Sequence, residues 1–190
     1  MQIERLFYPV DALGPGKRLA IWTIGCSKEC SNCISRELWH PRPDKNIMLP
    51  QLINFVKKVL SENEVDGITI SGGDPLEQRE EFLQFISAIH PLCDDILVYT
   101  GYTLQELCVI WTENELERLK KYVSVLIDGR YVDALNDSKS PLIGSTNQEI
   151  HFFDESKRTQ YEQLLLGKGR SVQNIYNGER VISIGIHNKE

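Results

Sequence analysis

Apolar and polar positions along the chain fall into blocks that read as strand, helix, strand. Leu19-Ala20-Ile21-Trp22 is a continuous apolar run of the length expected for a strand buried on both faces. Over residues 50–61, Leu52, Ile53, Val56, Val59 and Leu60 share one side of a 3.6-residue period, which predicts an amphipathic helix. Gly67-Ile68-Thr69-Ile70-Ser71 follows, short and β-branched in the manner of a strand. The block then recurs, with Phe82, Phe85, Ile86 and Ile89 on one face of a helix over 79–89 and a strand at Asp95-Ile96-Leu97-Val98-Tyr99. Thr103 is placed to cap a helix through Leu104 and Leu107, residues 113–122 read as another helix, and Val123-Ser124-Val125-Leu126-Ile127 supplies a further strand. Strands joined by helix-length connections pair in parallel through crossovers. The predicted fold is α/β: a mostly parallel βα sheet curving into a partial, incomplete barrel, with ligands at the carboxyl ends of its strands.

Outside these blocks the pattern weakens. Residues 6–10 are a short apolar stretch, Gly14-Pro15-Gly16 is a turn, and residues 34–40 form a helical turn stopped by Pro41 and Pro43. After a polar loop at 136–140, Tyr176-Asn177-Gly178-Glu179 is a hairpin turn between strands at 171–175 and 181–186, because Asn-Gly suits the left-handed dihedrals of a tight turn. That hairpin is expected to pack on the sheet edge. One domain over 1–190 results, with a core of about 14–148 and an extension of about 149–190 that carries the appended β-hairpin.

Composition narrows the partners. A net charge of −6 over 190 residues, with no basic cluster, argues against a grip on nucleic acid, which relies on clustered Lys and Arg. The first residues lack the design of a secretion signal and no apolar run approaches membrane-spanning length, so the expected location is cytoplasmic, with no membrane partner.

The chemistry concentrates where the first buried strand ends. Cys26, Cys30 and Cys33 follow Trp22-Thr23-Ile24-Gly25 with the spacing C-x3-C-x2-C. Three nearby thiolates can hold three irons of a 4Fe-4S cluster and leave the fourth open to a small molecule. Structural zinc is the rival reading; it needs a fourth ligand from His40, Cys93 or Cys108. Disulfides fit poorly, because five cysteines are an odd number in a chain without a secretion signal.

The cysteine loop resembles that of the radical S-adenosylmethionine superfamily. Its flanks are similar to the activating enzymes of glycyl radical enzymes, and among these to the activators of anaerobic ribonucleotide reductase. The resemblance is carried by Gly14-Pro15-Gly16-Lys17-Arg18, Ser71-Gly72-Gly73-Asp74-Pro75, Tyr99-Thr100-Gly101-Tyr102, Leu126-Ile127-Asp128-Gly129-Arg130 and Gly144-Ser145-Thr146-Asn147-Gln148. It implies a cluster held by Cys26, Cys30 and Cys33, S-adenosylmethionine bound at the open iron, a glycyl radical enzyme as partner, and an external electron donor such as a flavodoxin. A radical enzyme acting on a small molecule or peptide, and a non-catalytic iron-sulfur or zinc protein, stay open as alternatives.

Further cofactor contacts follow from the same resemblance. Gly72 and Gly73 would let the backbone approach the cofactor's amino group, with Asp74 where many relatives carry Glu. Asn32 and Ile34 flank the third cysteine, Asn32 standing where many members have an aromatic ring. Asp128 at a strand end could accept from ribose hydroxyls, Arg130 could clamp a carboxylate, and Thr100 is a further contact by the same argument. No side chain is required as a general base. Cys93 and Cys108 read as core-filling residues, and His90, His151 and His187 show no partner pattern.

Overall fold

The computed structural model describes residues 1–167, 169–178 and 180–188. Six strands form one sheet in chain order: β1 (Ile3–Val10), β2 (Arg18–Thr23), β3 (Gly67–Gly72), β4 (Ile96–Tyr99), β5 (Val125–Asp128) and β6 (Glu149–Phe152). The four middle strands are parallel, as their helix-length connections require, and β1 and β6 run antiparallel at the two edges. Helices α1 (Leu49–Glu62), α2 (Arg79–Ile89), α3 (Leu104–Ile110) and α4 (Glu113–Tyr122) lie between the strands. The threonines preceding α3 and α4, Thr103 and Thr112, each close a reciprocal capping box with Glu106 and Glu115, which fixes where the helices begin.

Strand alternation separates the two faces of the sheet. Leu19 and Ile21, Ile68 and Ile70, Ile96 and Val98, and Leu126 bury against Leu52 and Val56 of α1, Phe82 and Phe85 of α2, Leu107 of α3 and Leu119 of α4. The opposite face is covered in two patches. Ala20 and Trp22 pack with Val10, Leu13 and Ile184, whereas Leu97, Val125 and Ile127 pack with Leu142 and with Tyr161 of α5 (Arg158–Leu165).

Two elements depart from the sequence reading at the edges. Residues 6–10, read as a bare apolar stretch, are the second half of β1, paired with β2 from Ile3 opposite Thr23 to Val10 opposite Arg18. Residues 149–152, given no element, are β6; four residues of mixed polarity carry too little alternation to be seen. The hairpin exists as β7 (Val172–Asn177) and β8 (Arg180–Gly185), but it is a separate two-stranded sheet. Instead of extending the edge, it lays Ile175, Ile182 and Ile184 on the patch around Trp22. Its turn begins at Asn177 and Gly178 as expected, while Glu179 lies outside the described residues. The helical turn expected over 34–40 is a 3-10 turn at Arg36–Leu38 that buries Leu38.

At the amino ends of the parallel strands Arg18 is wholly buried and ion-paired to Asp95 at 3.1 Å. Its guanidinium also donates to Thr69 Oγ1 and to the carbonyls of Pro15 and Ile68, and Tyr161 donates to Asp95. That cluster fastens α5 to the sheet. Among the described residues no helix is long and apolar enough to cross a membrane.

Candidate active site

The carboxyl ends of β2 and β3 meet in a tight backbone crossing. Gly73 N donates to Thr23 O at 2.9 Å and Asp74 N to Gly25 O at 2.7 Å, so the root of the cysteine loop and the double glycine are one hydrogen-bonded unit. The glycines are required by that approach. A Cβ on Gly72, whose φ is +120°, would sit 2.3 Å from Thr23 N, and one on Gly73 would sit 2.4 Å from Gly25 O. Beyond this root, Gly25 N and Cys26 N donate to Leu38 O and Trp39 O, closing the loop on itself.

Within the loop, Glu29 and Asn32 have positive φ, 45° and 58°. Asparagine tolerates that left-handed conformation far better than a bulky ring, which accounts for Asn32 standing before Cys33. Its Oδ1 accepts from Arg36.

A second set of contacts holds the middle of the loop to the neighbouring strand ends. Lys28 Nζ lies 3.2 Å from Glu77 Oε1 and 3.2 Å from the centre of the Tyr102 ring. Ser27 Oγ and Tyr102 Oη donate to the same Glu77 oxygen. Burial opposes the charge on both partners, yet Ser27 and Lys28 hold Glu77 below its ordinary value, and Tyr102, Asp74 and Glu77 hold Lys28 above its own. Below this clasp Asp74 is fully buried and accepts from Leu76 N, Thr100 Oγ1 and Gly101 N. Burial pushes its carboxyl up to about 6, against those donors and the Lys28 charge.

Cys26, Cys30 and Cys33 are free, partly exposed and close enough to influence one another's thiols. Burial pushes Cys26 up to about 11; it also raises Cys30, against a hydrogen bond from the amide of Tyr131 and the charge of Arg130. Among the described residues no three His, Cys, Asp or Glu side chains converge as they would on a bound ion. The donor set nonetheless fits an iron-sulfur cluster better than zinc. Cys93 sits two residues before the buried Asp95, at the amino ends of the strands and so at the opposite end of the sheet. Cys108, expected in the core, is instead exposed on α3. Of the candidate fourth ligands only His40 is near, lining a hollow with Cys26.

A cleft of about 670 Å³ opens beside the third cysteine, a volume within the range of small-molecule sites. Cys33, Asn32 and Ile34 line it together with Tyr99, Tyr131 and Gln148. The hydroxyl of Tyr99 has no hydrogen-bond partner, but it is wholly buried and within electrostatic reach of Arg18 and Tyr161. An open cleft adjoining a three-thiol loop fits a cluster with a small molecule at its side.

The expected cofactor contacts divide between this cleft and the surrounding scaffold. Asn32, Cys33 and Ile34 reach the cleft, whereas Gly72 and Gly73 form the root beneath the loop. Asp74 and Thr100 bond to each other. Asp128 shares a strand face with Leu126, on the helix side, where its carboxylate accepts from Leu104 N at 2.6 Å and pairs with His151 Nε2 at 2.8 Å. Arg130 is exposed, and its carbonyl accepts from Asn147.

Gln148 is the residue whose role the sequence left open. Its carboxamide accepts from Gly144 N and Ser145 N and donates to Gly129 O, tying two loops of the cleft together beside Tyr131, whose amide faces Cys30. Lys28, Glu77 and Tyr102 were missed altogether. The only available signal was a lysine inside the cysteine loop and a glutamate three residues after Asp74, and nothing local says that they meet.

Comparison with known proteins agrees with this geometry. Residues 12–151 match the family described as a 4Fe-4S single cluster domain. The anaerobic ribonucleoside-triphosphate reductase-activating protein of Escherichia coli (strain K12) is 33% identical over 153 residues, 76% of this chain and 95% of that protein. The proteins of the same name from Haemophilus influenzae (33% over 155 residues; 77% and 96%) and Enterobacteria phage T4 (34% over 158 residues; 79% and 93%) are similar to the same extent.

Proposed function

The chain belongs to the family of anaerobic ribonucleoside-triphosphate reductase-activating proteins, a 4Fe-4S family, and on that premise we propose that it is a radical S-adenosylmethionine activase that leaves a glycyl radical on an anaerobic ribonucleotide reductase. The observation that carries the reading is the three-thiol loop locked to the double glycine at the carboxyl ends of β2 and β3, with an open cleft at Cys33. A cluster held by Cys26, Cys30 and Cys33 would supply, once reduced by an external donor such as a flavodoxin, the electron for cleaving S-adenosylmethionine.

The residues of the chain have orienting roles. Cys26, Cys30 and Cys33 are the iron ligands, and the glycine crossing fixes the root from which they extend. The clasp of Lys28, Glu77 and Tyr102 holds the span between Cys26 and Cys30. Gln148 and Asn147 hold the far wall, and Asn32 and Ile34 form the lip beside Cys33. No proton-transfer residue is called for, because the partner's glycine loses a hydrogen atom. The fold reading belongs to the same proposal: strands in sequence order, helices α1–α4 on one face and a cleft on the other support an incomplete βα barrel, open where a peptide loop can enter.

Anaerobic reconstitution followed by electron paramagnetic resonance tests the reading. A reduced 4Fe-4S signal that changes on adding S-adenosylmethionine, and a glycyl radical signal when the reductase is added, are expected. Bound zinc, or a cluster indifferent to S-adenosylmethionine, would overturn it.

A further inference from the structure

Two of the loop's sulfurs find their amide donors in different places. Cys26 is met by the amides of Lys28 and Glu29, which belong to the cysteine loop itself and are set by its own turn. Cys30 is met, besides its own amide, by the amide of Tyr131, which comes from the loop after β5. A donor that arrives from a distant stretch has to be held where it is needed.

Residues 144–148 hold that loop. Gln148 Nε2 donates to Gly129 O at 3.0 Å and Asn147 Nδ2 to Arg130 O at 2.8 Å. Val132 N donates to Ser145 Oγ at 3.1 Å, and Thr146 N to Leu135 O at 2.9 Å. The holding segment is itself folded on Gln148 Oε1, which accepts from Gly144 N at 2.8 Å and Ser145 N at 3.2 Å. The residues on either side of Tyr131 are therefore gripped by the 144–148 segment, while the Tyr131 amide is turned to the cysteines.

The Asn147 contact fixes that direction. Arg130 O and Tyr131 N–H belong to one peptide unit, which is planar and trans, so its oxygen and its hydrogen point to opposite sides. Gripping the oxygen aims the hydrogen at Cys30. The grip also polarises the unit, because hydrogen bonds in a chain strengthen one another. Asn147 is exposed, so water would satisfy its carboxamide equally well, and the bond contributes only about 0.5–1.5 kcal/mol to the fold. Its significance lies in the sulfur on the far side of the peptide.

We infer that Asn147, with Gln148 steadying the preceding peptide, is a positioning residue that aims the Tyr131 amide at the sulfur of Cys30 and thereby raises the reduction potential of the cluster. Reduction adds one negative charge to the cluster and its sulfurs, and a donor to a ligand sulfur stabilises the reduced form more than the oxidised one. The charge of Arg130 acts on Cys30 in the same sense, so releasing the loop withdraws both. The inference rests on the activase reading's cluster at Cys26, Cys30 and Cys33 and adds what sets the ease of its reduction.

A dithionite redox titration of the reconstituted full chain, followed by the electron paramagnetic resonance signal of the reduced cluster, tests it, with iron content measured on the same samples. Asn147→Ala is expected to keep the wild-type iron content and to disfavour reduction about tenfold, a fall of about 59 mV for a one-electron couple. Gln148→Leu should shift the potential in the same direction; should it fail to fold, Asn147→Ala, at an exposed position, decides alone. A merely loosened wall has the opposite sign, because water admitted to the reduced cluster stabilises its added charge. A second readout uses the cluster-free chain, in which the Tyr131 amide should exchange its hydrogen faster in Asn147→Ala than in the wild type while the amides of α1 and α2 are unchanged. An unchanged or raised potential in Asn147→Ala overturns the inference and leaves the activase reading standing; should that variant take up less iron, wild-type exchange at Tyr131 overturns it instead. A wild-type cluster that ignores S-adenosylmethionine overturns the activase reading alone, and a wild-type chain that assembles no 4Fe-4S cluster overturns both.

Discussion

The two ends of the parallel strands each gather polar side chains in an apolar sheet, and they do so in opposite ways. At the amino ends every nitrogen of the Arg18 guanidinium donates, to Thr69, to Asp95 and to carbonyls, and Tyr161 completes Asp95; the cluster is closed to water. At the carboxyl ends three thiols are half-exposed, and a cleft stands open beside the third. A polar cluster that satisfies itself is scaffolding. One that leaves three thiols exposed beside an open cleft is built for something not part of the chain.

The comparison is broken most decisively at the open end. Cys30→Ala is expected to abolish cluster assembly and radical formation while leaving thermal unfolding of the cluster-free protein unchanged, as iron content and calorimetry would show. A variant that still assembled the same cluster and cleaved S-adenosylmethionine would refute the ligand assignment.

Arg18→Met attacks the closed end. Leaving Asp95 buried without its partner should destabilise the fold by about 3–5 kcal/mol, measured by denaturant unfolding. Any protein that remains folded should give the wild-type cluster spectrum.

Asp74 sharpens the contrast through pH. Its carboxyl is raised by burial to about 6, so between its ordinary value near 4 and 6 the folded protein holds a proton that the unfolded chain has released. Stability of the cluster-free protein should therefore fall as pH rises through that window, on the order of 2–3 kcal/mol in all. Asp74→Asn should flatten the slope. An unchanged slope in the variant would assign the effect elsewhere.

Glu77→Gln is the mildest change. Glu77 is a quarter exposed and Gln keeps an acceptor for Ser27, Lys28 and Tyr102, so the change is expected to cost the fold only on the order of 1 kcal/mol. Its expected mark is faster loss of iron on dilution, with unfolding barely shifted; iron retention equal to wild type would remove the clasp from the site.

Much of the architecture could be read from local pattern. Amphipathic spacing placed α1 and α2, the Thr103 cap placed the start of α3, residues 113–122 were read as the helix that is α4, and β-branched runs placed the inner strands. The cysteine spacing announced the site. What escaped was distant pairing. β6 is too short and mixed to show a period, the hairpin sits on a face it could have missed, and Arg18 finds Asp95 77 residues away. That the Asp128 carboxylate also meets Leu104 and His151 shows only when strand register is known.

The sequence by itself determined the inner strands, helices α1–α4, the parallel order of that middle and the three sulfurs, because periodicity, caps and ligand spacing act within a few residues. Tertiary structure alone decided that glycines 72 and 73 serve the crossing under the loop, that Lys28 meets Glu77, and that residues 185–188 return to the cleft. Those outcomes depend on which side chains meet once the sheet forms, and no short stretch of the chain encodes them.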